Sequence, residues 1–542
     1  MGPLRSQDKP LSLASLKANK ARPKLVTKTV TVTRAPKPNP KPTGSYSISS
    51  SPPSRRNVPN GTPQHFIVPR KSTTPASVSS RPPSKESLER VRQNGHSRAK
   101  RASPAISTPR FTSSDEESED DEGDESKPRK RIRTSGQESL DEHRRIRDLA
   151  SFSEGDAGSF RMVHASDIAN IDIVEQSRTK YQDFFTVLEV DEADCPAITL
   201  QYPSISQSEK YQLVKPTDSS DFNPLDEIEL NMRIIAEYYL DNQSARKVTS
   251  EEDGSGFVQM LHREAKDAMR GRVGAQSRYI NVVEKFNALL AQKRKDGTIA
   301  KKLDAMVRVD VKLVEHIIKT QVYARTVSPQ VHLVRHYESF SDNVYGELLP
   351  KFLSRIFKET NLKSNQIFVD LGSGVGNCVL QAALEIGCDS WGCEFMDNPN
   401  TLAQLQAEEF PARCRLWGIK PGKVHLIHGD FLKNEEIKKV LKEADVILIN
   451  NQAFTAKLND DLKYVFLDLK EGAQIVSLKP FRSPAHKIKD SNVNDPINVL
   501  EVVEKDRWSG MVSWTDDPGK WYHQRKDSRA LEAFVKKLGG SK

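Results

Sequence analysis

A short apolar stretch that leads directly into a glycine-rich turn constrains this chain more than any other part of its sequence. Residues 366–369 are too few for a helix and lead to Asp370, after which Gly372, Gly374 and Gly376 stand at alternate positions. Apolar residues at helical spacing then follow. The pattern predicts a strand, a tight turn and a helix. Because glycine lets the backbone approach a ligand and a helix N-terminus offers unpaired N–H groups, the turn is a candidate nucleotide site.

Two kinds of ligand compete for this turn. The dinucleotide pattern G-x-G-x-x-G requires its third glycine where this chain has Asn377. The spacing here is D-x-G-x-G-x-G. The carboxylate of Asp370 would repel a pyrophosphate, but it would pair with the cationic amino-acid part of S-adenosylmethionine. A glycine-rich turn is a weak signal by itself, so the choice depends on the strands that follow.

Strands and helices alternate along the rest of the chain. Further strands are predicted at residues 390–395, 424–428, 445–450, 474–478 and 499–503, with a final hairpin around residues 512–514 and 521–523. This alternation predicts an α/β fold with a doubly wound, mainly parallel sheet, in which ligands bind at the carboxyl ends of the strands.

Polar residues stand at the carboxyl ends of four of these strands. Glu394 ends the second strand, where a carboxylate can bind both ribose hydroxyls. Asp430 follows the third, where it can accept from an adenine amino group, and Phe431 can stack on the same ring. Asn450 ends the fourth. One acid at a strand end is common, but Asp370, Glu394, Asp430 and Asn450 in register indicate S-adenosylmethionine.

The part of the chain before the turn changes in composition. Residues 150–225 predict a small β-rich preface, with strands at 183–190, 197–202 and 211–214. Residues 226–335 predict a helical subdomain whose apolar stripes are assigned to the core, and residues 336–538 predict the S-adenosylmethionine-binding core. We expect one continuous catalytic unit from about residue 150 to residue 538.

Two segments before the turn are candidates for the same site. Residues 322–329 predict a loop, because a Ser-Pro pair disfavours helix. Tyr345, Gly346 and Glu347 lie just before the next helix and close to the turn in sequence. A helix-capping role explains Glu347 equally well, so both interpretations stay open.

Residues 1–145 predict a long disordered basic arm. Residues 1–112 hold 22 Lys and Arg against 3 Asp and Glu, a net charge of +19, so the rest of the +9 chain carries −10. Such spread cations suit sequence-independent contact with nucleic-acid phosphates, although a soluble linker is the alternative.

Residues 115–125 form an acidic block that can either bind histones or hold the arm when DNA is absent. Residues 127–133 resemble a nuclear-import signal and predict a nuclear protein.

Cysteine spacing and hydropathy exclude several classes of protein. The five cysteines show neither C-x-x-C spacing nor a neighbouring histidine pair, so we expect no metal site and assign the thiols to buried positions in a reducing compartment. No apolar run approaches the roughly 18 residues of a membrane span, and the N-terminus has no secretory segment. We therefore expect no membrane association.

In combination, the motifs of residues 320–525 resemble the disruptor-of-telomeric-silencing histone methyltransferases, and the arm and preface resemble the fungal branch. The matching segments are Val344 to Glu347, Phe368 to Asn377, Gly392 to Glu394, Gly429 to Leu432, Asn450 to Phe454, Ser477 to Phe481 and Val512 to Thr515. The resemblance implies a class I, Rossmann-like seven-stranded methyltransferase sheet. It implies a non-SET enzyme that methylates lysine-79 of nucleosomal histone H3 with S-adenosyl-L-methionine.

The resemblance also implies partners, biological roles and site residues. The partners would be the nucleosome, ubiquitinated histone H2B and DNA through the arm, with a monomeric enzyme. The roles would be chromatin regulation, telomeric silencing and the DNA-damage checkpoint.

The implied cofactor-binding residues are Val344, Tyr345, Gly346, Glu347, Asp370, Gly372, Gly374, Gly376, Asn377, Glu394, Asp430 and Phe431. Residues 323–329 would begin a loop that covers the cofactor, and the implied lysine channel is formed by Asn450, Phe481, Trp514 and Trp521. Gln452 departs from the aromatic residue that is frequent in the family, so the channel wall is expected to be more polar there.

Two other functions compete with this interpretation. A methyltransferase of the same fold could act on RNA or a small molecule, but the pair Asn450-Asn451 replaces the Asn-Pro-Pro-Tyr/Phe pattern of amino-group chemistry on bases. A chromatin scaffold could retain a degenerate fold, but it would have no need of acids at every cofactor strand end.

Deletion of the arm tests its role as a tether. Removing residues 1–145 is expected to weaken nucleosome methylation, most strongly at low salt, because phosphate contacts made by the arm would be lost. Methylation rates measured over a salt series check this. Equal activity before and after deletion would contradict it.

Overall fold

The computed structural model describes residues 141–153, 160–175, 178–189, 195–335 and 346–539. Val344, Tyr345 and residues 1–140 of the predicted arm, with its two charged segments, lie outside the described residues. Among the helices that are described, none is long and apolar enough to cross a membrane.

Short strand pairs and a series of helices precede the glycine turn. The strands are β1 (Val174–Glu175), β2 (Arg178–Thr179), β3 (Tyr181–Asp183), β4 (Ala197–Leu200), β5 (Glu209–Gln212) and β6 (Val214–Pro216). The helices are α1 (Ala165–Ile168), α2 (Pro224–Tyr239), α3 (Asn242–Thr249), α4 (Phe257–Met269), α5 (Ala275–Lys295), α6 (Thr298–Ala305), α7 (Val311–Glu315) and α8 (Ala324–Thr326). β1 pairs with β2, β3 with β6 and β4 with β5, all antiparallel.

Two expectations for this region were wrong. The strand predicted at residues 183–190 ends at Asp183, because Phe184, Phe185 and Leu188 pack into the helical core instead of pairing. The loop predicted at residues 322–329 is helical as far as α8, since a π-helical stretch, His316–Tyr323, joins α7 to α8. Proline restricts only the residue before it and fits the first turn of the 3-10 segment Ser328–Arg335 that follows.

The second half of the chain alternates strands and helices as predicted. The strands are β7 (Ile367–Leu371), β8 (Asp389–Glu394), β9 (Val424–His428), β10 (Val446–Ile449), β11 (Gln474–Ser477), β12 (Leu500–Arg507) and β13 (Gly519–Lys526). The helices are α9 (Pro350–Thr360), α10 (Asn377–Gln381), α11 (Asp397–Leu416), α12 (Glu435–Glu443), α13 (Ala456–Val465) and α14 (Arg529–Gly539).

These seven strands form one sheet in the order β12-β13-β11-β10-β7-β8-β9. The five strands from β11 to β9 in this order run parallel, and β13 is antiparallel to both β11 and β12. This is the class I methyltransferase sheet, so the predicted fold class is confirmed. The chain order reverses between β7 and β10, which places the carboxyl ends of both strands at the switch-point crevice.

The predicted final hairpin was wrong in one of its two strands. β13 contains the predicted residues 521–523, but its hairpin partner is β12. Residues 512–514 instead lie in the connection between them, where Val512 makes a single bridge to Leu348. A run as short as Val512 to Trp514 does not reveal from sequence which distant segment it will pair with.

One hydrophobic core spans the preface, the helical region and the catalytic sheet. It includes Tyr211 from β5, Ile235 from α2 and Phe286 from α5, together with Leu384 and Trp417 from the sheet-covering helical segments. The Trp417 ring packs edge-on against Tyr202 and its Nε1 donates to Gln321 at 2.7 Å. The sheet and the N-terminal region therefore bury apolar surface against each other.

A buried ion cluster also connects these regions. Glu209 on β5 accepts from Arg413 on α11 at 2.6 Å and from Arg325 on α8 at 2.8 Å. Glu227 on α2 also pairs with Arg325, and Glu409 accepts from Arg413 at 2.6 Å. Burial opposes ionisation of Glu209, but Arg413 and Arg325 hold the pKa of its carboxyl below the usual range. The cluster holds three carboxylates against two guanidinium groups, and burial raises the pKa of Glu227, so its buried charges are compensated in part.

The first described residues bind to the catalytic half. Asp141 accepts from the N–H of Ser364 at 2.6 Å, and Arg144 donates to the carbonyls of Lys420 at 2.6 Å and Leu384 at 3.0 Å. A deletion that is meant to remove only the arm should therefore end before Asp141.

Removing one partner from the ion cluster is expected to be strongly destabilising. Arg413→Met should lower the free energy of unfolding by about 3–5 kcal/mol, because it leaves Glu209 buried with less compensation. Urea denaturation measures the change. Arg246→Met at an exposed position of α3 is the matched control, and a loss of less than about 1 kcal/mol for Arg413→Met would contradict the role assigned to the cluster.

Candidate active site

A cavity of about 580 Å³ opens at the carboxyl ends of the central strands. The glycine turn borders it on one side, and the segment before α9 borders it on another. The predicted site residues that line it are Gly346, Glu347, Asp370, Gly372, Gly374, Asn377, Glu394, Asp430, Phe431 and Asn450. The structure thus brings together the polar residues of four separate strand ends.

Three of the four residues predicted for the lysine channel, Trp521, Phe481 and Trp514, do not line the cavity. Trp521 is fully buried in β13, where it packs edge-on against Phe352. Phe481 is buried against Phe466, with ring centroids 4.7 Å apart. Both aromatic side chains fill the core beside the sheet, which is the usual position for large apolar groups.

Gly376 and Trp514 lie close to the cavity without lining it. A Cβ on Gly376 would come within 2.8 Å of Leu426, so this glycine permits the turn to pack on β9. Trp514 packs on Gly346, where a Cβ would be 2.7 Å from the indole ring. Trp514 therefore supports the cavity wall from behind.

The glycine turn has a backbone that other residues adopt only with strain. Gly372, Gly374 and Gly376 have φ angles of +87°, +55° and +90°. This conformation lets the N–H of Gly374 donate to Glu394 Oε2 at 2.8 Å. The second oxygen of Glu394 accepts from the N–H of Met396 at 2.8 Å. The turn and the end of β8 are thereby held in a fixed relation.

Asp370 is a buried carboxyl at the floor of the cavity. Burial raises its pKa to about 7, a hydrogen bond with the Cys378 thiol opposes the shift, and the nearby Glu394 adds to it. Burial also raises the pKa of Glu394. Two acids in a low-dielectric crevice create a site that favours a cationic group.

Glu347 and Asn377 meet across the cavity. Asn377 begins α10, and its Nδ2 donates to Glu347 Oε1 at 3.2 Å. The backbone of Glu347 is fixed from the other side, because its N–H donates to Ser513 Oγ at 2.9 Å and its carbonyl accepts from the N–H of Ser513 at 2.9 Å.

The adjacent residues Asn450 and Asn451 differ in their roles. Asn450 Nδ2 donates to the carbonyl of Gly346 at 3.0 Å, while its buried Oδ1 has no hydrogen-bond partner in the described part of the chain. Asn451 is only 1% exposed and binds the backbone of Leu478 and Lys479. Asn450 thus lines the cavity and binds the carbonyl of Gly346, whereas Asn451 holds the chain beyond β11.

Sequence reasoning missed the apolar part of the lining. Phe454 stacks beside Phe431 with ring centroids 6.3 Å apart, and Met396, Pro399 and Leu458 complete this wall. Met396, Pro399 and Phe454 follow strand ends by two to five residues, whereas Leu458 lies in α13. A position shortly after a strand end could therefore have marked residues of the cavity lining. Single apolar residues in loops are too common, however, for that position alone to identify them.

Comparison with known proteins gives a specific match. The family model for histone methylation protein DOT1 matches residues 323–525. A protein of Emericella nidulans is 48% identical over 76% of this chain and 78% of its own. A protein of Aspergillus fumigatus is 44% identical over 91% of this chain and 97% of its own. Both relatives are named histone-lysine N-methyltransferase, H3 lysine-79 specific.

The chain belongs to the DOT1 family. The resemblance seen in the sequence motifs is therefore confirmed. Among solved structures, an RNA methyltransferase from Salinibacter ruber in complex with S-adenosyl-L-homocysteine is 17% identical over 33% of this chain and 92% of its own, with a TM-score of 0.23. An alignment that weak adds nothing to the fold, which the strand order already defines.

S-adenosyl-L-methionine is the cofactor of this DOT1-family chain, and the residues present fit it. The left-handed glycines leave the backbone open to a ligand, the buried Asp370 and the half-buried Glu394 suit cationic and hydroxyl groups, and Phe431 offers a ring face. Asp430, by contrast, is half-buried and already pairs with the exposed Lys433 at 2.8 Å. To accept from an adenine amino group, the carboxylate of Asp430 would have to break its ion pair with Lys433 or accept from both groups.

Asp370→Asn tests the cost of burying this acid. The pKa of Asp370 is about 7 in the folded protein, against an ordinary value of 3.8. Its contribution to the free energy of unfolding is therefore fully present below about pH 4, and it is lost as the pH rises through about 7 because the buried carboxyl then ionises. The variant should therefore melt several degrees higher at about pH 8, with the difference vanishing at low pH, and should bind S-adenosylhomocysteine more weakly. Calorimetry and titration measure both.

Asp516→Asn, at an exposed loop position, is the control and should change neither quantity. Equal melting temperatures of the Asp370→Asn variant and the unaltered protein at every pH would contradict the burial argument.

Proposed function

We propose that this protein transfers methyl groups from S-adenosylmethionine to lysine-79 of histone H3 in the nucleosome. The names of its relatives support this substrate, and the family match spans every residue of the cavity. The observation that carries the proposal is the position of Asn450, which lines the cavity at the end of β10 beside the residues that fit S-adenosylmethionine. Its Oδ1 lacks a partner among the described residues and is shielded from solvent, so the side chain would have to rotate before an incoming amine could supply the missing N–H.

Asn450 orients the lysine and does not deprotonate it. A lysine with a pKa of about 10.4 must lose a proton before it can attack, which costs about 4–5 kcal/mol at neutral pH. The amide of Asn450 is neutral and cannot take that proton, but Oδ1 can fix the direction of one N–H bond. Apolar lining from Leu448, Phe454 and Leu458 lowers the pKa of an entering ammonium by excluding water.

S-adenosylmethionine supplies the methyl group as a sulfonium when it is bound. The chain's own residues then hold the acceptor nitrogen in line with that group, since alignment supplies much of the rate of such a displacement. Glu347 and the glycine turn bind on the cofactor side, while Asn450 and the carbonyl of Gly346 form the boundary toward the amine.

The biological setting is part of the same proposal. The basic cluster at residues 127–133 supports entry into the nucleus, and the +19 charge of residues 1–112 supports a salt-sensitive tether to nucleosomal DNA. Roles in chromatin regulation, telomeric silencing and the DNA-damage checkpoint, stimulation by ubiquitinated histone H2B, and a monomeric state rest on the family resemblance. The domain boundaries at residues 145, 225 and 335 are likewise proposed. Residues 150–538 would act as one catalytic unit, which the shared hydrophobic core supports.

A substrate panel tests the proposal directly. The protein is incubated with labelled S-adenosylmethionine and with nucleosomes, free histones, RNA or no acceptor. Label on lysine-79 of nucleosomal H3 is expected. Label on RNA would identify the RNA methyltransferase alternative, and binding without transfer to any acceptor would favour a scaffold.

Asn450→Ala separates the acceptor side of the cavity from the cofactor side. The methylation rate is expected to fall by about a hundredfold, because the amine loses its orienting acceptor. The Kd for S-adenosylhomocysteine should change by less than about threefold, since the hydrogen bond described for the Asn450 side chain goes to the carbonyl of Gly346 and not to Glu347 or the glycine turn. Steady-state kinetics and calorimetric titration provide the two measurements.

Asn494→Ala, at an exposed position, is the matched control and should leave both measurements unchanged. Loss of cofactor binding in Asn450→Ala would instead assign Asn450 to the cofactor site.

A further inference from the structure

Gln406 lies in α11 behind the glycine turn, and its side chain is completely buried. Its Nε2 donates to the carbonyl of Val375 at 2.6 Å and to Asn377 Oδ1 at 3.0 Å. Asn377 Nδ2 in turn donates to Glu347 Oε1 at 3.2 Å. A continuous path of hydrogen bonds therefore leads from the interior of α11 to a carboxylate at the cavity wall.

The carbonyl of Val375 determines the direction of this path. A carbonyl only accepts, so the group of Gln406 that faces it must be the NH₂. The second hydrogen of that NH₂ reaches Asn377 Oδ1, which turns Nδ2 of Asn377 toward Glu347. Reversing either amide would place two acceptors opposite each other.

Packing alone does not explain an amide at position 406. Its Oε1 is buried and has no hydrogen-bond partner within the described ranges. An apolar side chain would remove this acceptor, but it would also leave the Val375 carbonyl and Asn377 Oδ1 without a donor. The amide at position 406 therefore serves the glycine turn and Asn377, and not the packing of α11.

We propose that Gln406 is a positioning residue for S-adenosylmethionine, which orients Asn377 so that Asn377 holds the Glu347 carboxylate in place. Gln406 does not line the cavity, so it acts only through Asn377. The proposal rests on the S-adenosylmethionine site of the proposed function and not on the histone substrate. Binding measured without histone therefore separates a failure here from a failure of the substrate assignment.

Gln406→Met removes both donated hydrogen bonds and keeps the side-chain length. In the full-length protein, the Kd for S-adenosylhomocysteine is expected to rise about tenfold, as two donors to the turn and Asn377 are lost. The melting temperature should fall by a few degrees, because the Val375 carbonyl and Asn377 Oδ1 lose their donor while only one unpartnered oxygen is removed. Calorimetric titration and thermal unfolding measure the two effects.

Gln404→Met is the matched control, since Gln404 lies on the exposed side of the same helix. Its Kd should remain within about twofold of the unaltered protein. A Kd for Gln406→Met that is also within about twofold would overturn the proposal.

Gln406→Glu provides a pH profile that a space-filling role would not produce. Its carboxylate would face two acceptors, so binding relative to the unaltered protein should be weakest at about pH 8. It should recover as the pH falls, because the protonated carboxyl regains one donor. A ratio of the two Kd values that is constant with pH would overturn the proposal, and this variant keeps the test available if Gln406→Met fails to fold.

Discussion

The carboxylate of Glu209 is bound by two buried arginines, and the geometry of the cofactor turn depends on these ion pairs. Arg413 belongs to α11, the helix that also carries Gln406, although it is 204 positions from Glu209 in sequence. Arg325 leads into Val327, which packs in one cluster with Val375 of the glycine turn. Since an uncompensated charge there would be costly, the preface, α8 and α11 must keep their relative positions. The N-terminal region is thus structurally part of the catalytic unit.

Around the cavity, the chain gives up stability for the ability to bind a ligand. Asp370 is an acid at 3% exposure whose pKa is raised to about 7, and within the described structure Asn450 Oδ1 and Gln406 Oε1 are buried acceptors that lack partners. Each of these groups is unfavourable in an ordinary core. Unpartnered polar atoms also occur elsewhere in the described residues, so what distinguishes the crevice is the raised pKa of Asp370 close to such acceptors. A ligand that uses these groups would explain the combination, and functional sites are where such local conflicts are expected.

The sequence allowed the sheet and the acidic part of the site to be predicted, because both depend on local patterns. The carboxyl ends of parallel strands meet at one edge, so Asp370, Glu394 and Asn450 could be placed together without knowledge of the packing. Trp521 and Phe481 could not be placed, since an aromatic residue near a strand end can face either the core or the cavity. The contact of Gln406 with Asn377 depends on the rotation of α11 against the turn, which no local pattern encodes.

The segment before α9 joins the two halves of the site. Ser513 pairs with Glu347 through two hydrogen bonds, and Trp514 packs on Gly346. The carbonyl of Gly346 accepts from Asn450, while the next residue, Glu347, accepts from Asn377. In the proposed function, this pair of residues faces the acceptor lysine with the backbone of Gly346 and the cofactor with the side chain of Glu347. A shift of the segment would then move both boundaries together, so the same backbone would set the alignment of the acceptor nitrogen with the transferred methyl group.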